Sequence, residues 1–160
     1  MHRLSDAEQA FVENQGLFFE RFGLPRIGGR ILAHLLLAEE PLTLDQIAAS
    51  LKVSKASVST NMRHFQDLRL VDVTSPLGER KSYYQWSPQA WERRYDLAAM
   101  VARLARAVAE QGLAAISSDC PLARTRMEEA IAFADYMQGE LERARAGWLQ
   151  RLAQLRENAP

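Results

Sequence analysis

Two helix-capping sequences followed by a hairpin sequence constrain the fold of residues 43–87 more than any other feature of this chain. Thr43 and Ser54 each carry a side-chain oxygen that can cap the first turn of a short helix. Two runs rich in Val, Tyr and Trp follow at 70–74 and 82–86, joined by a turn that contains Pro and Gly. Two short helices and a hairpin in this order predict a winged helix-turn-helix.

The second of these short helices has one apolar face and one polar face. Val58, Met62 and Phe65 recur at helical spacing and predict the inward face. The opposite face carries Ala56, Ser59, Thr60 and Arg63, with Ser57 beside them. Small residues allow the backbone to approach base edges, and Ser, Thr and Arg side chains donate to bases and phosphates. The pattern predicts a recognition helix for the major groove, with a solvated helix face as the alternative.

Basic residues concentrate in the same region although the whole chain has no net charge. Residues 52–81 hold six cations and three acids. Arg80 and Lys81 lie near the hairpin tip, where they are expected to contact DNA, with Arg80 entering the minor groove. An ordinary charged turn is the alternative for this pair. Lys55 and Thr43 are expected near phosphates, and Lys52 takes the left-handed turn position that glycine often fills.

The rest of the chain predicts a mainly helical fold. The predicted helices cover 5–21, 25–39, 87–117 and 125–156, with Pro121 interrupting the pattern between the last two. Three regions follow: an N-terminal helix (1–24), a winged helix-turn-helix DNA-binding domain (25–87) and a C-terminal helical region (88–160). Gly139 and Gly147 each cost a helix about 1 kcal/mol unless something packs closely there, which favours a homodimer.

Several classes of function are not indicated by the sequence. The three histidines, His2, His34 and His64, lack metal-site spacing, and no phosphate-binding loop, nucleophile motif or paired-carboxylate motif occurs, so no metal, cofactor or catalytic residue is predicted. No apolar run is long enough to cross a bilayer, and the single Cys120 fits a reducing compartment, so a cytoplasmic, non-membrane protein is expected. A redox sensor acting through Cys120 remains a weaker alternative.

Three sequence motifs resemble one family of regulators. Residues 24–30 (LPRIGGR), 54–59 (SKASVS) and 78–84 (GERKSYY) are similar to the MarR family of winged-helix regulators, specifically its GbsR-like, betaine-regulator-like branch. The resemblance covers roughly residues 24–95. It implies a homodimer, with an N-terminal dimerisation helix (1–24) and a C-terminal helical dimerisation region (88–160), that binds double-stranded DNA as a repressor or activator and responds to a small-molecule effector.

Two questions stay open at the level of sequence. A set of aromatic residues is expected either to line an effector pocket or to pack in the core or a dimer interface: Phe18, Phe22, Trp91, Tyr95 and Tyr136. The alternative to DNA binding is a winged-helix module that binds another protein. Removing Arg63 and Arg80 together separates the two functions, because only a DNA-binding protein has DNA affinity to lose.

Overall fold

The computed structural model describes residues 4–158 as helices with a small antiparallel sheet. The helices are α1 (Asp6–Arg21), α2 (Arg26–Leu37), α3 (Leu44–Leu51), α4 (Lys55–Asp67), α5 (Ala90–Ala115) and α6 (Pro121–Glu157), and the strands are β1 (Leu42–Thr43), β2 (Val71–Thr74) and β3 (Tyr83–Trp86). The chain divides into two compact units, Met1–Ala90 and Trp91–Pro160. The first unit contains the predicted winged helix-turn-helix together with α1.

Capping side chains set the starts of three helices, as the sequence predicts. The Ser5 backbone N–H donates to Glu8 Oε2 at 2.7 Å, and Thr43 makes the equivalent bond to Gln46 Oε1 at 2.8 Å. In α4 the Ser57 backbone N–H donates to Ser54 Oγ at 3.2 Å. These bonds satisfy backbone groups that have no partner within the helix, so each helix starts where its cap stands.

The backbone of α2 lies in close contact with both α1 and α4. A Cβ added at Gly29 would overlap the carbonyl oxygen of Gln15 on α1. A Cβ at Gly28 would lie 3.1 Å from Asn61 Oδ1 and 3.2 Å from the Phe65 ring, both on α4. This close packing accounts for two consecutive glycines inside α2, where glycine is otherwise unfavourable.

The core of the first unit gathers around α2. Its largest fully buried side chains are Val12, Ile31, Leu35, Ile47, Val58 and Met62. The predicted inward face of α4 is confirmed, because Val58, Met62 and Phe65 are all buried. Ala48 of α3 is buried as well.

A left-handed backbone at Lys52 makes the turn between α3 and α4. Its φ is 53° and its ψ is 48°, and the next amide, of Val53, donates to the Ala48 carbonyl at 3.0 Å. The predicted positive φ at this lysine is confirmed. A second left-handed residue, Arg69 with φ 54°, follows α4 and was not predicted, since neither Gly nor Asn marks it.

The sheet has the strand order β1, β3, β2 and both pairings are antiparallel. The predicted hairpin forms with Val71 opposite Trp86 and Val73 opposite Tyr84. Strand β1 was not predicted because it contains two residues, too few for an alternating pattern to be detected. It pairs Leu42 with Tyr84, so β3 becomes the central strand.

Three predicted helix ends differ from the structure. Helix α2 ends at Leu37, and α5 starts at Ala90, because Ser87 first makes a turn in which its carbonyl accepts from the Ala90 amide at 2.9 Å. Helix α6 starts at Pro121 and not near Thr125. Proline lacks an N–H, which the first helical position does not need, so Pro121 begins this helix and does not interrupt it.

The second unit consists of α5 and α6, which run antiparallel. The Trp91 and Trp148 rings meet edge to face at 6.4 Å, and Arg106 Nε lies 2.7 Å from Asp135 Oδ1. Near the connection between the helices, a Cβ at Gly112 would lie 3.0 Å from the Met127 sulfur. Much of each helix remains exposed, and few apolar side chains of this unit are buried.

Replacing Gly29 by alanine is expected to lower the free energy of unfolding by about 2 kcal/mol, because the added methyl group overlaps backbone that cannot move aside. Gly28→Ala is the matched control, since it gains the same helix propensity and meets only side-chain atoms. We expect it to cost less than about 1 kcal/mol. Urea unfolding followed by circular dichroism measures both. Equal stability of Gly29→Ala and the wild type would contradict the close contact.

Replacing Lys52 by glycine is expected to raise the free energy of unfolding by about 0.5 to 1 kcal/mol, because glycine adopts the left-handed conformation without strain. Lys52→Ala removes the same side chain and keeps the strain, so it should give no gain. Urea unfolding followed by circular dichroism compares the two variants. An equal change in both variants would show that the side chain, and not the backbone, determines stability at this turn.

Candidate nucleic-acid interface

The exposed face of α4 is the surface that the sequence predicts as a recognition helix. Ala56, Thr60 and Arg63 are exposed, while Ser57 and Ser59 are half-buried at the edges of this face. The first carboxylate of the helix is Asp67, its last residue. The start of α4 therefore combines small and polar side chains with the positive end of the helix dipole.

Two polar side chains of α4 bond to the helix itself. Thr60 Oγ1 donates to the Ala56 carbonyl at 3.1 Å, and Asn61 Nδ2 donates to the Ser57 carbonyl at 2.9 Å. These bonds orient the side chains and leave the Thr60 hydroxyl oxygen with acceptor capacity toward solvent. Asn61 was not among the predicted residues, and its half-buried position beside Gly28 gives it a packing role as well.

The basic side chains around α4 differ in what they contact. Lys55 Nζ lies 2.8 Å from Asp45 Oδ1, an exposed ion pair of the kind that contributes little to stability. Within residues 4–158, the exposed Arg63, Arg80 and Lys81 make no ion pair or side-chain hydrogen bond with another residue. These three charges are free to meet an anion without first breaking an internal contact.

Thr43 occupies a different environment from the other predicted residues. Its side chain is buried, and its hydroxyl donates to Gln46 Oε1 at 2.8 Å while accepting from the Gln46 amide at 3.3 Å. The hydroxyl that was expected near a phosphate is thus engaged in the cap of α3. The structure does not bring it to the exposed face of α4.

The tip of the hairpin, residues 75–82, is closed by side chains at its base. Ser75 Oγ and Ser82 Oγ are 3.0 Å apart, and Tyr83 Oη donates to Glu79 Oε2 at 2.8 Å. The Glu79 carboxylate accepts this bond and raises the pKa of Tyr83 above its ordinary value. The bond holds Glu79 against the hairpin, next to the exposed Arg80.

The aromatic residues proposed for an effector pocket fall into two groups. Phe18 on α1 and Phe22, which follows the last residue of that helix, are exposed with ring centroids 5.0 Å apart. Trp91, Tyr95 and Tyr136 belong to the second unit. Trp91 lies against Trp148, with the Arg94 guanidinium 5.1 Å from the Trp91 ring centroid. Trp148 is not among the residues predicted for a site, since a single tryptophan at helical spacing carries no separate signal for one.

Other kinds of site were also sought in the part of the chain that the structure describes. Among residues 4–158, no three His, Cys, Asp or Glu side chains are grouped so that they could hold a metal ion. No helix in this range is long and apolar enough to cross a membrane. His2 lies outside the described residues.

Comparisons with known proteins agree with this arrangement. The model of the MarR family matches residues 22–81. The chain is 30% identical over 144 residues to the HTH-type transcriptional regulator MmpR5 of Mycobacterium tuberculosis, covering 88% of this chain and 86% of that protein. It is 25% identical to the HTH-type transcriptional repressor GbsR of Bacillus subtilis, covering 94% and 86%.

A solved structure described as a transcriptional regulator has the same fold over most of both chains. It superimposes with a TM-score of 0.77 at 26% identity, covering 90% of this chain and 99% of that one. The relatives are transcription regulators and not enzymes, as the sequence predicts. This chain belongs to the MarR family of transcription regulators.

Proposed function

We propose that this protein is a homodimeric repressor that binds a specific sequence of duplex DNA through α4 and the hairpin. The single observation that carries the proposal is the exposed face of α4, which has no carboxylate before Asp67 and presents an unpaired Arg63. Residues 25–87 would form the DNA-binding domain. Residues 1–24 and 88–160 would supply the dimer contacts.

Each residue of the interface has a proposed role that follows from its position. Arg63, Thr60, Ser59 and Ala56 lie along the major groove. Lys55 and Ser57, in the first turn of α4, contact phosphates, since a helix N-terminus favours anions. Arg80 enters the minor groove from the hairpin tip, and Lys81 contacts the backbone beside it. Thr43 contributes by capping α3.

Repression is the mode of action that the relatives support. The GbsR protein of Bacillus subtilis, 25% identical to this chain over most of its length, is named a repressor. A dimer bound across a promoter would exclude other proteins from the same stretch of DNA. The proposed target, cellular duplex DNA, is consistent with action in the cytoplasm.

A second copy of this chain is the partner that the exposed apolar side chains favour. On α5, Val101, Leu104 and Val108 follow helical spacing and are 62%, 59% and 67% exposed. Gly147 on α6 has nothing within 4 Å of an added Cβ in its own chain. Apolar stripes of this kind on a small protein typically mark interfaces, and a two-fold dimer would place two recognition helices about 34 Å apart.

Control by a small-molecule effector is a further part of the proposal. The exposed pair Phe18 and Phe22, and the Trp91, Tyr95 and Tyr136 set, offer ring faces of the kind that bind organic cations. An effector would alter repression only if it bound one spacing of the recognition helices more tightly than another.

Replacing Arg63 and Arg80 together by alanine is expected to weaken operator binding by about a hundredfold or more, because each arginine contact to a base or groove contributes about 1 to 3 kcal/mol. Fluorescence anisotropy with duplex DNA from upstream of the protein's own gene, in excess unrelated competitor, measures the change. Wild-type affinity should fall about a thousandfold between 50 and 200 mM salt if about six phosphates are contacted.

Two variants serve as controls in the same titration. Arg126→Ala removes an exposed charge of α6 outside the proposed interface and should leave the affinity unchanged. Asp45→Asn removes the acid that pairs with Lys55 and should strengthen binding about threefold, because Lys55 becomes available to phosphate. Failure of the folded wild-type dimer to bind any duplex at low salt would favour the protein-interaction alternative.

Replacing Leu104 and Val108 by glutamate is expected to convert a dimer into a monomer, because the charges would be buried without partners. Light scattering at micromolar concentration measures the molecular mass. Ala114→Glu, an exposed position of α5 outside the stripe, should leave the dimer intact. A monomeric wild-type protein would overturn the dimer proposal.

A further inference from the structure

We propose that Arg30 is a positioning residue that links α1 to the turn of the helix-turn-helix, so that α4 takes its orientation partly from the N-terminal helix. The effect on DNA affinity rests on the proposed function, whereas the link itself does not. Arg30 lies on α2 and is engaged from two directions, by a hydrogen bond to a backbone carbonyl of α3 and by an ion pair with a carboxylate of α1.

The first contact holds the end of α3. Arg30 Nη2 donates to the carbonyl oxygen of Leu51 at 2.9 Å. Leu51 is the last residue of α3, and Lys52, with its left-handed backbone, follows it. Carbonyls in the last turn of a helix lack partners within the helix, so this guanidinium stabilises the point from which the chain turns toward α4.

The second contact reaches α1. Arg30 Nε lies 2.7 Å from Glu13 Oε1, and Arg26 Nη2 lies 2.9 Å from the other oxygen, Glu13 Oε2. The Arg30 side chain is only 21% exposed, compared with 46% for Arg26. Both arginines therefore hold the same carboxylate, but the structure gives only Arg30 a bond to the turn.

A glycine makes room for this arrangement. A Cβ added at Gly16 of α1 would lie 2.8 Å from Arg30 Cγ, closer than a real side chain allows. Gly16 is buried in the middle of a helix, where glycine costs about 1 kcal/mol relative to alanine. Its absence of a side chain lets the stem of Arg30 pass against α1 on its way to Leu51.

The geometry requires arginine. A guanidinium is planar and its charge is spread over three nitrogens, so Arg30 can donate from Nη2 to the Leu51 carbonyl while its Nε edge lies against the Glu13 carboxylate in an ion pair. An ammonium is a single point of charge on a flexible stem. A displacement of α1 along α2 would move the Glu13 carboxylate and, through the ion pair, the Arg30 guanidinium. The Leu51 carbonyl would then either move with the guanidinium or lose its hydrogen bond.

The test compares Arg30→Gln and Arg30→Lys with the matched control Arg26→Gln, which loses an ion pair with the same Glu13 and leaves the turn bond in place. Hydrogen exchange of the Lys52 and Val53 amides, without DNA, reports on the turn. We expect both Arg30 variants to exchange about tenfold faster there, the equivalent of one charge-assisted hydrogen bond, and Arg26→Gln to stay within about twofold of the wild type.

Operator affinity supplies a second readout. We expect Arg30→Gln and Arg30→Lys to weaken binding about fivefold to tenfold while thermal unfolding confirms a folded protein. In the Arg30→Gln background, adding Glu13→Gln should not raise the exchange rate of the turn amides any further, because the link is already broken. Arg30→Lys keeps the test possible if Arg30→Gln fails to fold.

Specific outcomes would overturn the inference. Equal exchange at Lys52 and Val53 in the Arg30 and Arg26 variants would show that Arg30 does not hold the turn. Faster exchange with unchanged operator affinity would show that the turn does not position α4 for DNA. If the wild-type protein binds no duplex, the proposed function fails, and exchange alone still decides whether the link exists.

Discussion

The backbone of α2 passes so close to α1 that no side chain fits at Gly29, and the rest of the first unit is arranged around this approach. One residue earlier, Gly28 packs against the Asn61 and Phe65 side chains of α4. Helices α1 and α4 therefore both pack directly against α2. Because packed interiors transmit small displacements, the position of the exposed face of α4 depends on how α1 meets α2.

Features set by neighbouring residues could be predicted from the sequence. Ser5, Thr43 and Ser54 cap helices because their oxygens bond to amides within the next turn, a purely local interaction. The inward face of α4 follows from the rotation of about 100° per residue that any α-helix has. The same rotation predicted which residues of α4 lie on its exposed face.

Features that depend on distant partners could not be predicted in this way. Strand β1 exists because Leu42 pairs with Tyr84, and two residues carry no pattern of their own. The Arg30 bond to Leu51 depends on how α2 crosses α3. The local sequence around Thr43 predicted its cap, but it could not show that the same side chain is buried. That Arg63 and Arg80 form no ion pair within residues 4–158 likewise depends on which side chains the fold brings near them.

The pairing of β1 with β3 closes a long loop of the chain, and this has a consequence for how the unit assembles. Thr43 both caps α3 and lies opposite Tyr83 in the sheet. The segment of chain between these two paired residues contains α3, α4, β2 and the hairpin tip. Bringing such distant residues together costs chain entropy that a two-residue strand cannot offset alone. Docking of α3 and α4 shortens the distance between these paired residues, so the packing of the two helices and the pairing of β1 with β3 stabilise each other.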